Sequence, residues 1–137
     1  MGTDATWPLQ VSLVKRLGES QRIKEILGDV PRITDLSRSE KKPPFLVIGN
    51  SKANSWHSAT FDGQEHELEL HLWTREGGCD GSKAAASALI DELHNADFPI
   101  QGHALVDLQF ESSATRYIAS RRLYHCTLTF KGLTVSD

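Results

Sequence analysis

The chain has little cysteine, no basic excess and no long apolar run, and each shortage excludes a class of protein. Cys79 and Cys126 are far apart in sequence, so there is no disulfide framework, and Cys126 reads as a small core residue. No apolar stretch approaches the ~20 residues that cross a bilayer as a helix. The first stretch, Met1 to Leu17, is interrupted by Asp4, Pro8, Gln10 and Lys15, which does not make a secretory signal. The expectation is a soluble protein made in the cytoplasm, with no membrane contact.

Lys and Arg number 15 against 18 Asp and Glu, a net charge of -3 with the signs interspersed. That leaves no basic stripe for a phosphate backbone, so any relation to DNA would be passage or proximity, without specific binding. Metal-ligand spacing is also missing. His57, His66, His71, His94, His103 and His125 stand singly, with no Cys-x-x-Cys and no His-x-x-x-His, and neither metal nor cofactor is expected. Gly77, Gly78 and Gly81 precede a predicted helix, but their spacing fits neither the dinucleotide fingerprint nor the P-loop. Gly81-Ser82-Lys83 is read as turn flexibility and helix capping, and Cys79 in that turn as an idle thiol.

What the chain does have is alternation. In Gln64 to Thr74, Leu68, Leu70 and Leu72 share one side of an extended strand, while Glu67, Glu69, His71 and Trp73 share the other. A one-residue slip would bury the glutamates and expose the leucines, so the pattern fixes which face is inside. At 137 residues the chain reads as one domain, 1–137, able to bury roughly 65 to 70% of its unfolded surface.

Around that strand the other elements follow. Pro8 suits a first helical turn, and Leu9, Leu13, Val14 and Leu17 form a stripe that Gly18 can end. Ser20 can cap a short second helix with Ile23, Ile26 and Leu27 inward and Gly28 as its stop. Val30 to Leu36 offers a short edge strand, Ser37 to Pro44 a solvated loop, and Phe45 to Ile48 a strand beginning after the prolines. Asn50 to Gly63 is polar and aperiodic and reads as a long mobile connection or an extended hairpin arm.

Downstream, Ser82 or Asp80 would cap a helix carrying Ala85, Ala86, Leu89, Ile90 and Leu93 and ending near Asn95. Leu105 to Glu111 predicts a strand with Val106, Leu108 and Phe110 inward, and Arg121 to Lys131 another with Tyr124, Cys126, Leu128 and Phe130 inward. Ser112 to Ser120 would link them. Two hairpins joined by a right-handed helical crossover give an α+β fold: a two-layer sandwich, a four-stranded mainly antiparallel sheet with helices packed on one face. The last strand slots between the two parallel ones.

Glu67, Glu69 and His71 are the one constellation that could do acid–base work or hold a metal. A solvated strand face gives its carboxylates similar surroundings, however, whereas acid–base pairs need environments that push their pKa values apart. They read as solvent-facing or interface residues, and no catalytic residue is assigned. His125, outward on the last strand, could lie across from His71 or Glu69.

In their order these stretches resemble a known family. The helical pair Leu9 to Gly28, Pro44-Phe45-Leu46-Val47-Ile48-Gly49, Glu65-His66-Glu67-Leu68-Glu69-Leu70-His71-Leu72-Trp73, the alanine-rich helix Ser82 to Leu93, Val106-Asp107-Leu108-Gln109-Phe110-Glu111 and Leu123 to Phe130 together look like a tail-completion protein of phages and gene transfer agents, similar to the tail terminators of long-tailed phages. The family resemblance implies a structural protein, not an enzyme: a hexameric ring on the head-proximal end of the tail tube that ends tube polymerisation and joins tail to neck. Its implied partners are copies of itself, the major tail tube protein and a neck or head-completion protein, with DNA passing through. Its implied places are the bacterial cytoplasm during assembly and then the virion or gene-transfer-agent tail. Lys52 to Phe61 departs from the family's polar loop by carrying two aromatics.

Exposed aromatics are enriched at interfaces, and acidic lining would keep a duplex from sticking. The candidate interface residues are therefore Trp56, Phe61, Glu65, Glu67, Glu69 and Trp73, with a core position the rival reading for Trp73. The alternatives are another head–tail connector or neck protein, a small hydrolytic domain, or a ligand-binding domain of ferredoxin-like build.

Overall fold

The computed structural model describes residues 4–29, 31–35, 42–75 and 79–137. Eight elements follow in order: α1 (Thr6–Gly18), α2 (Gln21–Leu27), β1 (Ile33–Asp35), β2 (Phe45–Ser55), β3 (Gly63–Arg75), α3 (Cys79–Leu93), β4 (His103–Ile118) and β5 (Leu123–Ser136). Outside the described residues lie Val30 and Leu36 of the predicted edge strand, 37–41 of the predicted loop and Glu76, Gly77 and Gly78 of the predicted turn. The side chains of Cys79 and Asp80 lie outside them too.

The first two helices form where spacing and capping predict them. Leu9, Leu13 and Leu17 are buried along α1. Ser20 Oγ accepts the Ile23 N–H at 3.3 Å, and Gly28 follows α2 at φ 103°, a left-handed value glycine adopts without steric cost. The start of α1 is tied to β3 by the Ala5 N–H, which donates to Gln64 Oε1 at 2.6 Å. Ser82 does not cap α3, because that helix begins at Cys79. It sits inside the first turn, and its Oγ is buried with no hydrogen-bond partner among the described residues.

The sheet has five strands, not four, in the order β1-β2-β3-β5-β4. β1 adds a parallel edge, Ile33 opposite Leu46, and the other pairings are antiparallel. The last strand lies between β3 and β4, as the two-hairpin reading predicts. Both hairpins are longer than their apolar stretches. β2 continues through Ser55, paired to Gln64, so Asn50 to Gly63 is an extended arm. β4 continues through Ile118, paired to Leu123, so the linker predicted over Ser112 to Ser120 is mostly strand. Backbone pairing carried these segments on after their side chains ceased to be apolar.

A bulge corrects one more expectation. Val106 is unpaired between Leu105 and Asp107, and this extra residue shifts the phase so that Leu105 takes the inward place. Val106 is left 52% exposed. In β2, Gly49 and Asn50 together occupy the step between Ile48, opposite Leu70, and Ser51, opposite Leu68. Tyr124 is in phase with the inward residues but only half-buried, its ring 5.1 Å from that of Tyr117.

Leu68, Leu70 and Leu72 of β3 join Leu46, Leu108, Cys126, Leu128 and Phe130 in one buried cluster. Leu9, Leu13, Leu17, Ile23, Leu27, Leu89 and Leu93 of the helices belong to the same cluster. Cys126 is a fully buried free thiol. At about 25 cal/mol per Å² of apolar surface removed from water, this shared cluster is the main source of stability.

Candidate functional site

The second face of β3 carries the residues that are not needed to fill the core. Trp73 is opposite Phe45 of β2 and His125 of β5. Its ring stacks on His125 with centroids 4.2 Å apart and on Phe45 at 6.3 Å. The Arg121 guanidinium carbon stands 4.6 Å from the Trp73 ring centroid, a cation–π contact. Trp73 is thus neither a core residue nor a free one. It is half-buried, the centre of a row of rings that runs across three strands.

A hydrogen-bonded chain extends from this row. His71 Nδ1 and His125 Nε2 are 2.7 Å apart, and His71 Nε2 is 2.7 Å from Glu69 Oε1. With the Glu69 carboxylate accepting from Nε2–H, a neutral His71 accepts at Nδ1 from His125. The register puts His125 opposite Trp73 and Thr127 opposite His71, so His125 meets His71 diagonally, one step from the direct pairing expected. Burial, and then the neighbouring His71 and Arg116, hold His125 below the usual histidine range. Gly49 lies under this chain: a Cβ there would fall 2.7 Å from His71 Cδ2 and Nε2.

The remaining predicted residues separate into two groups. Glu65 and Glu67 are exposed and Glu69 is half-buried. Glu67 is flanked in register by Lys52 and Lys131, and Lys131 also stands 3.5 Å from Glu111, so the face is of mixed charge at that level. Trp56 and Phe61 meet edge to face at 5.1 Å at the tip of the β2–β3 arm. The Trp56 N–H donates to the Gly63 carbonyl at 2.8 Å and the Ser58 N–H to the Phe61 carbonyl at 3.0 Å. From Gly63 to Trp73 the strand rises ~3.3 Å per residue. The aromatic tip and the Trp73 row are therefore two surfaces at opposite ends of one strand.

Period-2 alternation does not mark Phe45, Gly49 or Arg121, since their roles depend on strands that meet only in the fold. Trp7 is another residue it passes over, 66% exposed on α1 with Val11, 48% exposed, one turn on. The sequence signal was there: Trp7 and Val11 fall off the Leu9, Leu13, Leu17 stripe. Among the described residues, no group of three or more His, Cys, Asp or Glu side chains is placed to hold a metal ion.

The tail completion protein gp17 family model matches residues 11–134. No curated protein matches the sequence. In fold the chain is similar to a chain in the virion of a native gene transfer agent (GTA) particle, with a TM-score of 0.84 at 20% identity, covering 96% of this chain and 98% of that one.

Proposed function

The chain belongs to the tail completion protein gp17 family, a structural component of phage-type tails, and from that premise we propose that it is the tail terminator. In this reading copies close into a hexameric ring at the head-proximal end of the tail tube. The ring ends tube polymerisation and offers the neck a docking surface. It assembles in the bacterial cytoplasm and stays in the finished virion or gene transfer agent. The observation that carries the reading is half-buried Trp73, stacked on His125 under Arg121 and backed by the buried Phe45. Aromatic residues and arginine are the types enriched in interface cores, and here the stacking holds them in place before any partner arrives.

A closed ring needs a heterologous interface, two different patches on each subunit. The Trp73 row and the Trp56–Phe61 tip, at opposite ends of β3, supply two such patches, and exposed Trp7 offers a third contact. Glu65, Glu67 and Glu69 face the lumen or the subunit interface, where DNA passes without specific binding. The helices form a layer over the leucine face of the sheet, which the shared buried cluster supports, and leave the Trp73 face to neighbours.

Solution mass and negative-stain imaging test this, on the protein alone and with tail tubes. The expected result is a ring on one end of each tube, lost in Trp73→Ala while the subunit stays folded. A subunit that never assembles, with or without tubes, overturns the reading. So does unchanged ring formation, tail length and DNA delivery when all three glutamates are reversed to lysine.

A further inference from the structure

We propose that copies of this chain join head to tail, the acidic Trp56–Phe61 tip of one seating on the basic Trp73 row of the next. Closure into a ring rests on the reading above; the contact itself is carried by how charge divides along the sheet.

Among the described residues, the tip end of the sheet is built from 4–6, 53–65, 101–109 and 132–137, which hold Asp4, Asp62, Glu65, Asp107 and Asp137 and neither Lys nor Arg. Register and hydrogen bonding gather them. Leu133 lies between Glu65 and Asp107, and His103 is opposite Ser136; Gln64 Nε2–H donates to Asp4 Oδ1 at 3.5 Å. The row end is built from 42–45, 73–75 and 114–125, which hold Lys42, Arg75, Arg116, Arg121 and Arg122 and no acid. Here Phe45 is opposite Trp73, His125 lies between Trp73 and Arg116, and Leu123 between Arg75 and Ile118. Glu25 borders Arg75 from the helix layer. Charges that alternate in sign along the chain are thus sorted by the fold to opposite ends of β3, with the mixed stretch around Glu67 between them.

The occupant that fits each end is the other end of a second copy. Trp56, Phe61 and Trp73 are all half-buried, so each end offers aromatic surface inside a surround of one sign, the composition of an interface core with a charged rim. From Gly63 to Trp73 the strand covers ~33 Å at ~3.3 Å per residue, too far for the tip to reach the row of its own chain. Like charge disfavours tip on tip and row on row, and opposite charge favours tip on row and fixes its register. Such a contact joins two different patches and is heterologous, the kind that closes into a ring when its rotation allows.

Two variants of the full chain test this by solution mass over rising concentration, alone and with tail tubes. One alters the tip, Asp62→Lys with Glu65→Lys, and the other the row, Arg116→Glu with Arg75→Glu; all four residues are exposed. Each variant alone should associate at least tenfold more weakly than the wild type. Mixed in equal amounts they should form one-to-one pairs, the unaltered tip of the row variant on the unaltered row of the tip variant, and that pairing shows both to be folded. Wild-type association should weaken as salt is raised. Wild-type strength in either variant alone, no pairing in the mixture, or association unmoved by salt overturns the contact and leaves the ring reading standing where tubes are still capped. A wild-type species that stops at two copies, each tip on the other's row, supports the contact and overturns the ring. A wild-type chain that stays single at every concentration and on tubes overturns both. A short DNA duplex that displaces the second copy at physiological salt also overturns the contact, since the basic end would then serve nucleic acid.

Discussion

The two faces of β3 share one backbone and one spacing, yet they are held by different forces. On one face His66, Leu68, Leu70, Leu72 and Thr74 are all buried, and apart from the His66 to Thr134 contact at 2.9 Å they are there to fill volume. On the other, Glu69, His71 and Trp73 are half-exposed but tied down: Trp73 stacks on His125, and short hydrogen bonds link His71 to both His125 and Glu69. The comparison shows that burial orders a face by excluding water, while a partly wet face is ordered only where specific side chains meet across strands. A substitution on the first face should act on stability, and one on the second on geometry and on what the surface recognises.

The largest test of that contrast is Leu70→Ala. Leu70 is 1% exposed, and removing its side chain should cost about 2–5 kcal/mol in urea unfolding, transfer and cavity terms together. A loss as small as that of a surface substitution would mean that the leucine face is not the core.

Next is Gly49→Ala, which puts a methyl against the His71 ring and 3.0 Å from the Glu69 carbonyl. Overpacking of this kind costs about 1–3 kcal/mol. It should also break the His71 to His125 contact, seen as altered ring-nitrogen shifts of both histidines. Unchanged shifts would mean that the outer face does not depend on the bulge for its order.

The pH dependence of stability sharpens the contrast between the faces. Burial first of all holds His66 below its ordinary value, with Asp4 opposing and His103 adding to the shift. His125 is lowered in the same direction. Between the folded and the ordinary value the unfolded chain binds more protons, so this contribution is complete above about pH 6.5 and is lost as pH falls below it. Each histidine adds a slope of at most about 1.4 kcal/mol per pH unit. His66→Gln should remove more of the slope measured by urea unfolding between pH 7 and 5 than His125→Gln, because His66 is nearly sealed from water and His125 is not. The reverse ranking would break the distinction.

The smallest effect is expected from Glu67→Lys, which sets a third cation between Lys52 and Lys131. Like charges at cross-strand positions cost roughly 0.2–1 kcal/mol at an exposed site, read as a small Tm decrease that salt reduces.

Much of this was legible in the chain itself. Leucines at period two declared the inward face of β3, and the stripe of Leu9, Leu13 and Leu17, the Ser20 cap and Gly28 declared the first two helices. Legibility failed where apolar residues ran out. Ser51 to Ser55 and Ser112 to Ile118 are strand because neighbouring backbones offer hydrogen bonds, which no side-chain period reports. It failed again at Val106, where one bulged residue reversed the phase of everything before it. Of the candidate site, Glu69, His71 and Trp73 could be placed on one face, while their joining to Phe45, Gly49 and Arg121 could not. Ser82 shows the same limit: read as a cap, it proved to be inside the helix with its hydroxyl buried.

By itself the sequence determined which residues avoid water and at what period they recur, because that preference belongs to each side chain and repeats along the chain. Only the tertiary structure decided which strands became neighbours and in what register. Register follows from turn length, bulges and backbone pairing between distant segments, and it alone brought Phe45, Trp73 and His125 into one row.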